Sequence, residues 1–231
     1  MSYRERPTAV PGVVLWEKVV EPGSEGARIL PDGCLDLLWD GRRLFVAGPD
    51  STARWHDSPA GTRYVALRFS GGAGPAVLGI PADELRDQTP GLEELWPPGE
   101  TRFLAERMAT DPVDTLEACA IERAASWQFD GLGPRVLAMA KAGLPVAAMA
   151  DRMGMSTRQL HRRCLPTFGY GPRRLARVVR MGRALEMAQT CASLAQVAAG
   201  CGYFDQAHLS REIRDLAGTT PTVLLGELDL R

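Results

Sequence analysis

Hydrophobic positions divide the chain into a part with strand-like runs and a part with helical spacing. Residues 10–70 contain β-branched or apolar runs separated by Gly, Pro and Asp, which predicts short strands. After them, Pro81 followed by Asp83 and Glu84 predicts the first turn of a helix. Helical spacing over 100–126 predicts further helices. The predicted strand runs are VVLWEKVV (13–20), CLDLLWDG (34–41), RLFVAG (43–48) and RYVALRFS (63–70).

The stretch FDGLGP, residues 129–134, is the predicted boundary between two domains. Everything beyond it has helical spacing, interrupted by turn residues. We therefore predict an α+β chain, with a β-rich, barrel-like or sandwich-like domain at 1–130 and an all-α domain at 131–231.

The second half of the sequence contains an internal repeat. MADRMG (149–154) aligns with VAAGCG (197–202), 48 positions later. Because the second tight turn has one extra residue, later positions of the two copies match at an offset of 49 residues. Leu160, Gly169 and Pro172 then align with Leu209, Gly218 and Pro221. Each copy is a short helix, a turn containing Gly, and a second helix opened by a capping residue, Ser156 or Asp205. This pattern predicts helix-turn-helix units at 145–165 and 194–217.

The second helix of each copy has a buried side and a polar side. Leu160 and Cys164 lie four residues apart, as do Leu209 and Ile213, so each pair faces a small core. Arg, Gln and Ser can all bond base edges in a major groove, and a solvated surface is the alternative explanation. The polar positions are Arg158, His161 and Arg162 in the first copy, and Gln206, Ser210 and Arg211 in the second.

A linker helix is predicted between the units, over 172–190. The run PRRLARVVRMGRALEMAQ begins with Pro172 and would extend about 27 Å. Reading helices on one face of a duplex lie about 34 Å apart, so a helix of this length could hold two units over successive grooves. Phosphate contacts are predicted at Ser156, Thr157, Arg173 and Arg177. Acidic neighbours or solvent are the alternative for the linker arginines.

Residues 134–225 resemble the DNA-binding domain of the AraC/XylS family of bacterial transcription regulators. The run AAGCGYFDQAHLSREIRDLAGTTP (198–221) is similar to that family's signature. The resemblance implies promoter binding that acts on RNA polymerase, with base reading by Arg158, His161, Arg162, Gln206, Ala207, Ser210 and Arg211.

The sequence departs from the family pattern at four positions of the two units. Cys164 and Ile213 stand where the family usually has Phe. Glu212 is expected to place a negative charge beside the second reading face. Pro166 is expected to end the first recognition helix early.

The first half more weakly resembles an N-terminal domain attached to such regulators. This resemblance implies a sensory domain whose helices, at about 100–126, mediate association, for example as a homodimer. The pieces that carry it are ILPDGCLDLLWDG, VAGPD, LRFSGGAGPAVLGIPADELRDQ and LEELW.

An apolar pocket with a few polar groups would suit a small-molecule effector in the strand-rich half. Core packing is the alternative for the tryptophans, and an ion pair is the alternative for Arg68. The candidate lining is Trp16, Cys34, Asp36, Trp39, Trp55, His56 and Arg68.

Neither a metal site nor a redox cysteine is expected in this half. A metal site would combine Asp32, Cys34 and Asp36 with the one imidazole of His56, which is an unfavourable mixture of ligands. The two nearby carboxylates would raise the pKa of a Cys34 redox sensor. We predict no cofactor.

Composition and charge narrow the classes of function. At 45% hydrophobic and 24% charged residues, the chain is typical of a globular protein. No apolar run approaches the roughly 18 residues of a membrane span, and the start has no signal-like region, so a cytoplasmic protein without a membrane partner is expected.

The net charge of −1 conceals an asymmetry, which indicates a polyanionic partner. Residues 1–133 carry 13 basic and 21 acidic side chains, whereas residues 134–190 carry 11 basic and 2 acidic ones. Opposite charges could also dock the two halves, with DNA competing for that contact. Two independent domains are the alternative.

Two classes of function follow. The leading interpretation is a non-enzymatic transcription regulator that binds double-stranded promoter DNA and responds to a small molecule or stress. The alternative is a ligand-binding or cupin-like enzyme domain with a helical interaction module.

Overall fold

A computed structural model describes residues 3–23, 26–126, 130–190 and 193–229. Its first third is built from strands, and the predicted runs at 13–20, 34–41, 43–48 and 63–70 each contain one. Three further strands were not predicted, because charged residues interrupt their short sequences. The strands are β1 (Tyr3–Pro7), β2 (Val13–Val19), β3 (Gly26–Ile29), β4 (Leu35–Trp39), β5 (Leu44–Ala47), β6 (Arg54–Asp57) and β7 (Arg63–Phe69).

The strands form two antiparallel sheets. Five of them pair in the order β1-β2-β7-β4-β5, while β3 and β6 form a separate two-stranded ribbon. In the large sheet, Leu37 lies opposite Leu67 and Asp36 lies opposite Arg68. Because side chains alternate along a strand, this register sends the two pairs to opposite faces of the sheet.

The two faces of the large sheet have different coverings. Leu37, Leu67 and Phe69 belong to the main core, which includes residues of four helices. These are α1 (Ala73–Leu78), α2 (Leu92–Leu95), α3 (Pro98–Met108) and α4 (Pro112–Ala125). The other face carries a separate buried cluster that includes Trp16, Leu38, Phe45 and Tyr64.

The helix predicted to begin at Pro81 is not present. The helix in this region is α1, which ends at Gly79 in the left-handed conformation, at φ 74°. Residues after Pro81 form turns, and Asp87 adopts φ 59°, which interrupts a helix. These turns bury Ala82 and Leu85 instead, so tertiary packing overrides the local preference for a helix.

The second half is all-α, with its own hydrophobic core. A linker helix and two repeated helix pairs are present, as the repeat predicts. The helices are α5 (Leu132–Lys141), α6 (Val146–Arg152), α7 (Thr157–Phe168), α8 (Pro172–Ala188), α9 (Leu194–Gly200), α10 (Gln206–Ala217) and α11 (Pro221–Asp229). The chain therefore has the predicted α+β class. Among the described residues, no helix is long and apolar enough to cross a membrane.

Pro166 does not end α7, contrary to the sequence-based expectation. The helix continues to Phe168 and ends at Gly169 in the left-handed conformation, at φ 78°. A proline in the last turn removes one backbone donor, yet the turn still closes because Gly169 N–H donates to Leu165 O at 2.8 Å.

Phe129 of the predicted domain boundary lies outside the described residues. Just after it, Asp130 Oδ1 accepts a hydrogen bond from Leu132 N–H at the start of α5.

Candidate nucleic-acid interface and ligand pocket

The first helix-turn-helix unit consists of α6 and α7. Ser156 and Gln159 form a capping box, in which Gln159 N–H donates to Ser156 Oγ at 3.2 Å. Leu160 and Cys164 are fully buried, as predicted. Cys164 and Phe168 both belong to the core of the second half.

The second unit, α9 and α10, repeats this construction. Asp205 Oδ1 accepts from His208 N–H at 2.6 Å and caps α10, while Leu209 and Ile213 are buried. The repeated glycines also match, since Gly218 ends α10 in the left-handed conformation that Gly169 adopts after α7. The repeat in the sequence therefore corresponds to a repeat in the fold.

All seven predicted base-reading residues lie at the surface. Six are exposed and Ser210 is half-buried. They occupy the first two turns of each recognition helix, the part that contacts base edges in helix-turn-helix complexes. They are Arg158, His161, Arg162, Gln206, Ala207, Ser210 and Arg211.

His161 has a second neighbour that the sequence did not indicate. A Cβ at Gly171 would lie 2.2 Å from His161 Nδ1, so the imidazole rests against the backbone just before α8. Any side chain at position 171 would displace the ring. The orientation of His161 therefore depends on this glycine.

The predicted phosphate contacts differ in their surroundings. Ser156 N–H and Oγ both interact with Gln159 Oε1, at 2.8 and 2.9 Å, so its donors are occupied by the capping box. Thr157 is exposed at the start of α7. Arg173 is exposed on α8, and the described residues provide it with no hydrogen bond or ion pair.

Arg177 is held by protein carboxylates, which argues against its predicted phosphate role. Its Nε lies 2.9 Å from Glu212, and its Nη2 lies 3.2 Å from Asp215. Arg180 adds a second bond to Glu212 at 3.1 Å. The charge of Glu212 is thus neutralised by the linker helix, whereas the sequence suggested a carboxylate beside the reading face.

A cavity of about 340 Å³ lies between the large sheet and the β3-β6 ribbon. Its floor is the buried cluster of Trp16, Leu38, Phe45 and Tyr64. Five of the seven predicted lining residues contribute to it; they are Trp16, Cys34, Asp36, His56 and Arg68.

The other two predicted lining residues lie elsewhere. Trp39 is buried in the main core, because Trp39 and Leu38 point to opposite faces of β4. Trp55 is 57% exposed and donates from Nε1 to Asp57 Oδ1 at 2.9 Å. Its neighbour His56 points into the cavity instead.

Asp36 is the central polar group of the cavity. Its Oδ1 accepts from Trp16 Nε1 at 2.7 Å and from Arg68 Nε at 3.3 Å. Burial raises the pKa of Asp36 to about 6, although the charge of Arg68 opposes this. Arg68 thus makes the ion pair suggested by the sequence and still lines the cavity.

Other polar side chains of the cavity also have hydrogen-bond partners within the protein. Ser58 Oγ and Tyr64 Oη are 2.8 Å apart, and His56 Nε2 lies 3.4 Å from the same hydroxyl. Burial, with Asp32 and Asp36, raises the pKa of the Cys34 thiol well above its ordinary value. This disfavours a redox-active thiolate, as the sequence predicted.

The ribbon that covers the cavity also contacts the end of the second recognition helix. Ala53 N–H, just before β6, donates to Leu216 O at 2.6 Å. Arg28 of β3 lines the cavity, donates to Ala217 O at 3.0 Å, and forms a bidentate pair with Glu227 of α11 at 3.0 and 3.2 Å. The sequence did not reveal this ribbon, whose two strands have four residues each.

The first recognition helix is held at its C-terminal end too. Ala82 N–H donates to Pro166 O at 2.9 Å, and Arg86 Nη1 donates to Gly169 O at 3.2 Å. The two halves therefore dock, but at the ends of α7 and α10 opposite to the reading residues. The N-terminal half also reaches the linker helix, where Arg174 Nη2 donates to Ser51 O.

Two family models match the sequence: a helix-turn-helix domain over residues 149–226, and a domain of unknown function (DUF6597) over residues 13–90. No curated protein matches it.

Among solved structures, the chain is similar to an AraC-type transcriptional regulator from Chromobacterium violaceum (24% identity, 41% of this chain and 88% of that one, TM-score 0.38). It is also similar to a probable AraC family regulator from Rhodopseudomonas palustris (22% identity, 42% and 96%, TM-score 0.37). ToxT from Vibrio cholerae aligns over 98% of this chain and 99% of its own, at 9% identity and TM-score 0.48.

The helix-turn-helix match covers both recognition helices and the linker helix between them. Those helices carry exposed polar side chains where such units meet DNA. Residues 149–226 therefore form a helix-turn-helix domain, as expected for the predicted DNA-binding transcription regulator of the AraC type, and residues 13–90 match a domain family of unknown function.

Proposed function

We propose that the chain reads two successive major grooves of promoter DNA through α7 and α10. One observation carries this proposal: the recognition helices of two repeated helix-turn-helix units both expose their N-terminal polar residues, and α8 joins the two units. That helix has 17 residues, or about 26 Å, so with the turns at its two ends it could hold the units over successive grooves, about 34 Å apart on one face of a duplex.

The regulator acts by binding and not by catalysis. Its partners would be promoter DNA and RNA polymerase in the bacterial cytoplasm, and a second copy of the chain through helices α3 and α4. The division into a sensory domain at 1–130 and a DNA-binding domain at 131–231 is part of this proposal.

The cavity would receive an uncharged, largely apolar organic molecule as effector. Aromatic and aliphatic side chains form its floor, and its arginines already have carboxylate partners: Arg68 has Asp36, Arg54 has Asp50 and Arg28 has Glu227. A charged ligand would have to break one of these pairs. A neutral ligand could instead exchange hydrogen bonds with the Ser58 and Tyr64 hydroxyls.

The β3-β6 ribbon would transmit the effector signal. One side of the ribbon lines the cavity, while Ala53 and Arg28 bond the carbonyls that end α10. A ligand that binds one ribbon position better than another shifts α10 relative to α7 by its differential affinity. Effector binding would therefore change how well both helices fit two grooves at once.

The DNA proposal is tested by selection from a randomised duplex pool with the full chain, followed by footprinting. We expect an enriched sequence with two protected major-groove segments about 10 base pairs apart. The matched control carries Arg162→Ala and Arg211→Ala, two exposed changes that leave the core intact. Failure of the full chain to enrich any sequence would refute the proposal.

The effector proposal is tested by screening neutral aromatic and aliphatic compounds for thermal stabilisation. Compounds that bind the cavity should stabilise the full chain but not Ala27→Phe, which fills the cavity from the ribbon side. Equal stabilisation of both proteins would place the compounds outside the cavity.

A further inference from the structure

The turn of the second helix-turn-helix unit contains one residue more than the first. Met155 alone separates Gly154 from the Ser156 cap, whereas two residues, Tyr203 and Phe204, separate Gly202 from the Asp205 cap. Met155 and Tyr203 both pack against the core of the second half, so they are equivalent. The extra residue is therefore Phe204.

Packing does not explain the extra residue. The Phe204 side chain is 92% exposed, more than any other large exposed hydrophobic side chain of the described residues. A phenylalanine in water gains none of the roughly 1.5–3 kcal/mol that burial would give it. Its ring thus contributes nothing to the fold of the isolated chain.

The backbone of Phe204 is fixed in place beside the reading residues. Its N–H donates to His208 Nδ1 at 3.2 Å, and the His208 ring meets the edge of buried Tyr203 at 5.5 Å between centroids. The next residue, Asp205, caps α10. The ring therefore extends from a rigid turn immediately before Gln206, and ordering it on a partner costs little entropy.

We propose that Phe204 is a specificity contact for thymine, with its ring against the C5-methyl group at the edge of the second half-site. The N-terminal end of a recognition helix is the part that approaches base edges. Apolar contact with the thymine methyl is an established mode of direct readout for phenylalanine. This inference rests on the proposed function, because it needs α10 in a major groove.

The test measures binding of the full chain to the selected duplex and to duplexes in which single thymines of the second half-site are replaced by deoxyuridine. Deoxyuridine lacks only the methyl group. Phe204→Ala is expected to weaken binding to the selected duplex about tenfold, and one deoxyuridine should weaken the wild-type chain about fourfold. That deoxyuridine should have no further effect on Phe204→Ala.

The control is Val223→Ala, which shortens another exposed apolar side chain, on α11, and should change neither measurement. The melting temperature of Phe204→Ala should equal that of the wild type, because the ring is not packed. If Phe204→Ala binds the selected duplex normally, or if every deoxyuridine affects both proteins equally, the inference is wrong. If Phe204→Ala binds the selected duplex normally but no longer supports transcription, the ring contacts a protein partner instead. Absence of any selected duplex would refute the proposed function instead.

Discussion

Glu212 is predicted to stabilise the DNA-binding domain by attaching α10 to the linker helix. Its side chain is 16% exposed, and it accepts from Arg177 at 2.9 Å and from Arg180 at 3.1 Å, whose side chains are 24% and 30% exposed. Glu212→Gln keeps the shape but removes the charge. Two partly buried guanidinium groups then lose the negative charge that they share.

The expected loss of stability follows from this intermediate burial. Exposed ion pairs contribute at most about 1 kcal/mol, whereas breaking a buried pair costs about 3–5 kcal/mol. A cost of roughly 2 kcal/mol is therefore expected for Glu212→Gln. In a chain of this length it corresponds to a decrease in melting temperature of about 4–8 °C.

The pH dependence gives a second measure of the same interaction. Burial alone would raise the pKa of Glu212, but the hydrogen bonds and charges of Arg177 and Arg180 outweigh it and hold the pKa below the ordinary 4.5. A lowered carboxyl pKa contributes stability that is present above pH 4.5 and is lost as the pH falls through the folded value. The stability difference between wild type and Glu212→Gln should therefore be constant from pH 8 to pH 5 and shrink below pH 4.5.

The assay is thermal unfolding by circular dichroism, with Asp215→Asn as the matched control. Asp215 bonds the same Arg177, but its side chain is 68% exposed, so its loss should cost less than about 1 kcal/mol. Equal melting temperatures for wild type and Glu212→Gln would refute the reasoning. So would an Asp215→Asn change as costly as Glu212→Gln.

Three further predictions concern reading, positioning and the cavity. Arg211→Ala should cost about 1–3 kcal/mol of binding free energy and relax the preference at one base pair. Arg214→Ala, on the same helix, should not change that preference. Titrations with single-base variants of the selected duplex check both. Arg173→Ala should weaken all sequences alike and reduce the slope of log affinity against log salt by about one, so a changed sequence preference would contradict its phosphate role. The pKa of Asp36 is raised to about 6, so its protonated side chain stabilises the folded chain at pH 4, and this stabilisation is lost as the pH rises through 6. The loss is at most about 3 kcal/mol. Urea unfolding across this range should show the decrease in the wild type and not in Asp36→Asn.

The sequence alone determined the features that depend on neighbours along the chain. Caps, turn glycines and helical spacing act over a few residues, so Ser156, Asp205 and Gly218 mark helix boundaries in the sequence as they do in the structure. The end of α7 was the exception, since the sequence placed it at Pro166 and the structure places it at Gly169. Apolar and β-branched runs separated by turn residues likewise identified four strands of the large sheet. The repeat added the order of the helices, because duplication copies local signals together.

Tertiary structure decided what depends on contacts between distant segments. Trp39 and Trp55 left the predicted pocket because strand register, and not residue type, determines which face a side chain occupies. Arg177 and Glu212 are 35 positions apart, and no local pattern announces their pairing. The β3-β6 ribbon was not predicted, because each of its four-residue strands is interrupted by charged residues and its backbone groups find partners only in the folded chain. It nevertheless covers the cavity and contacts the end of α10.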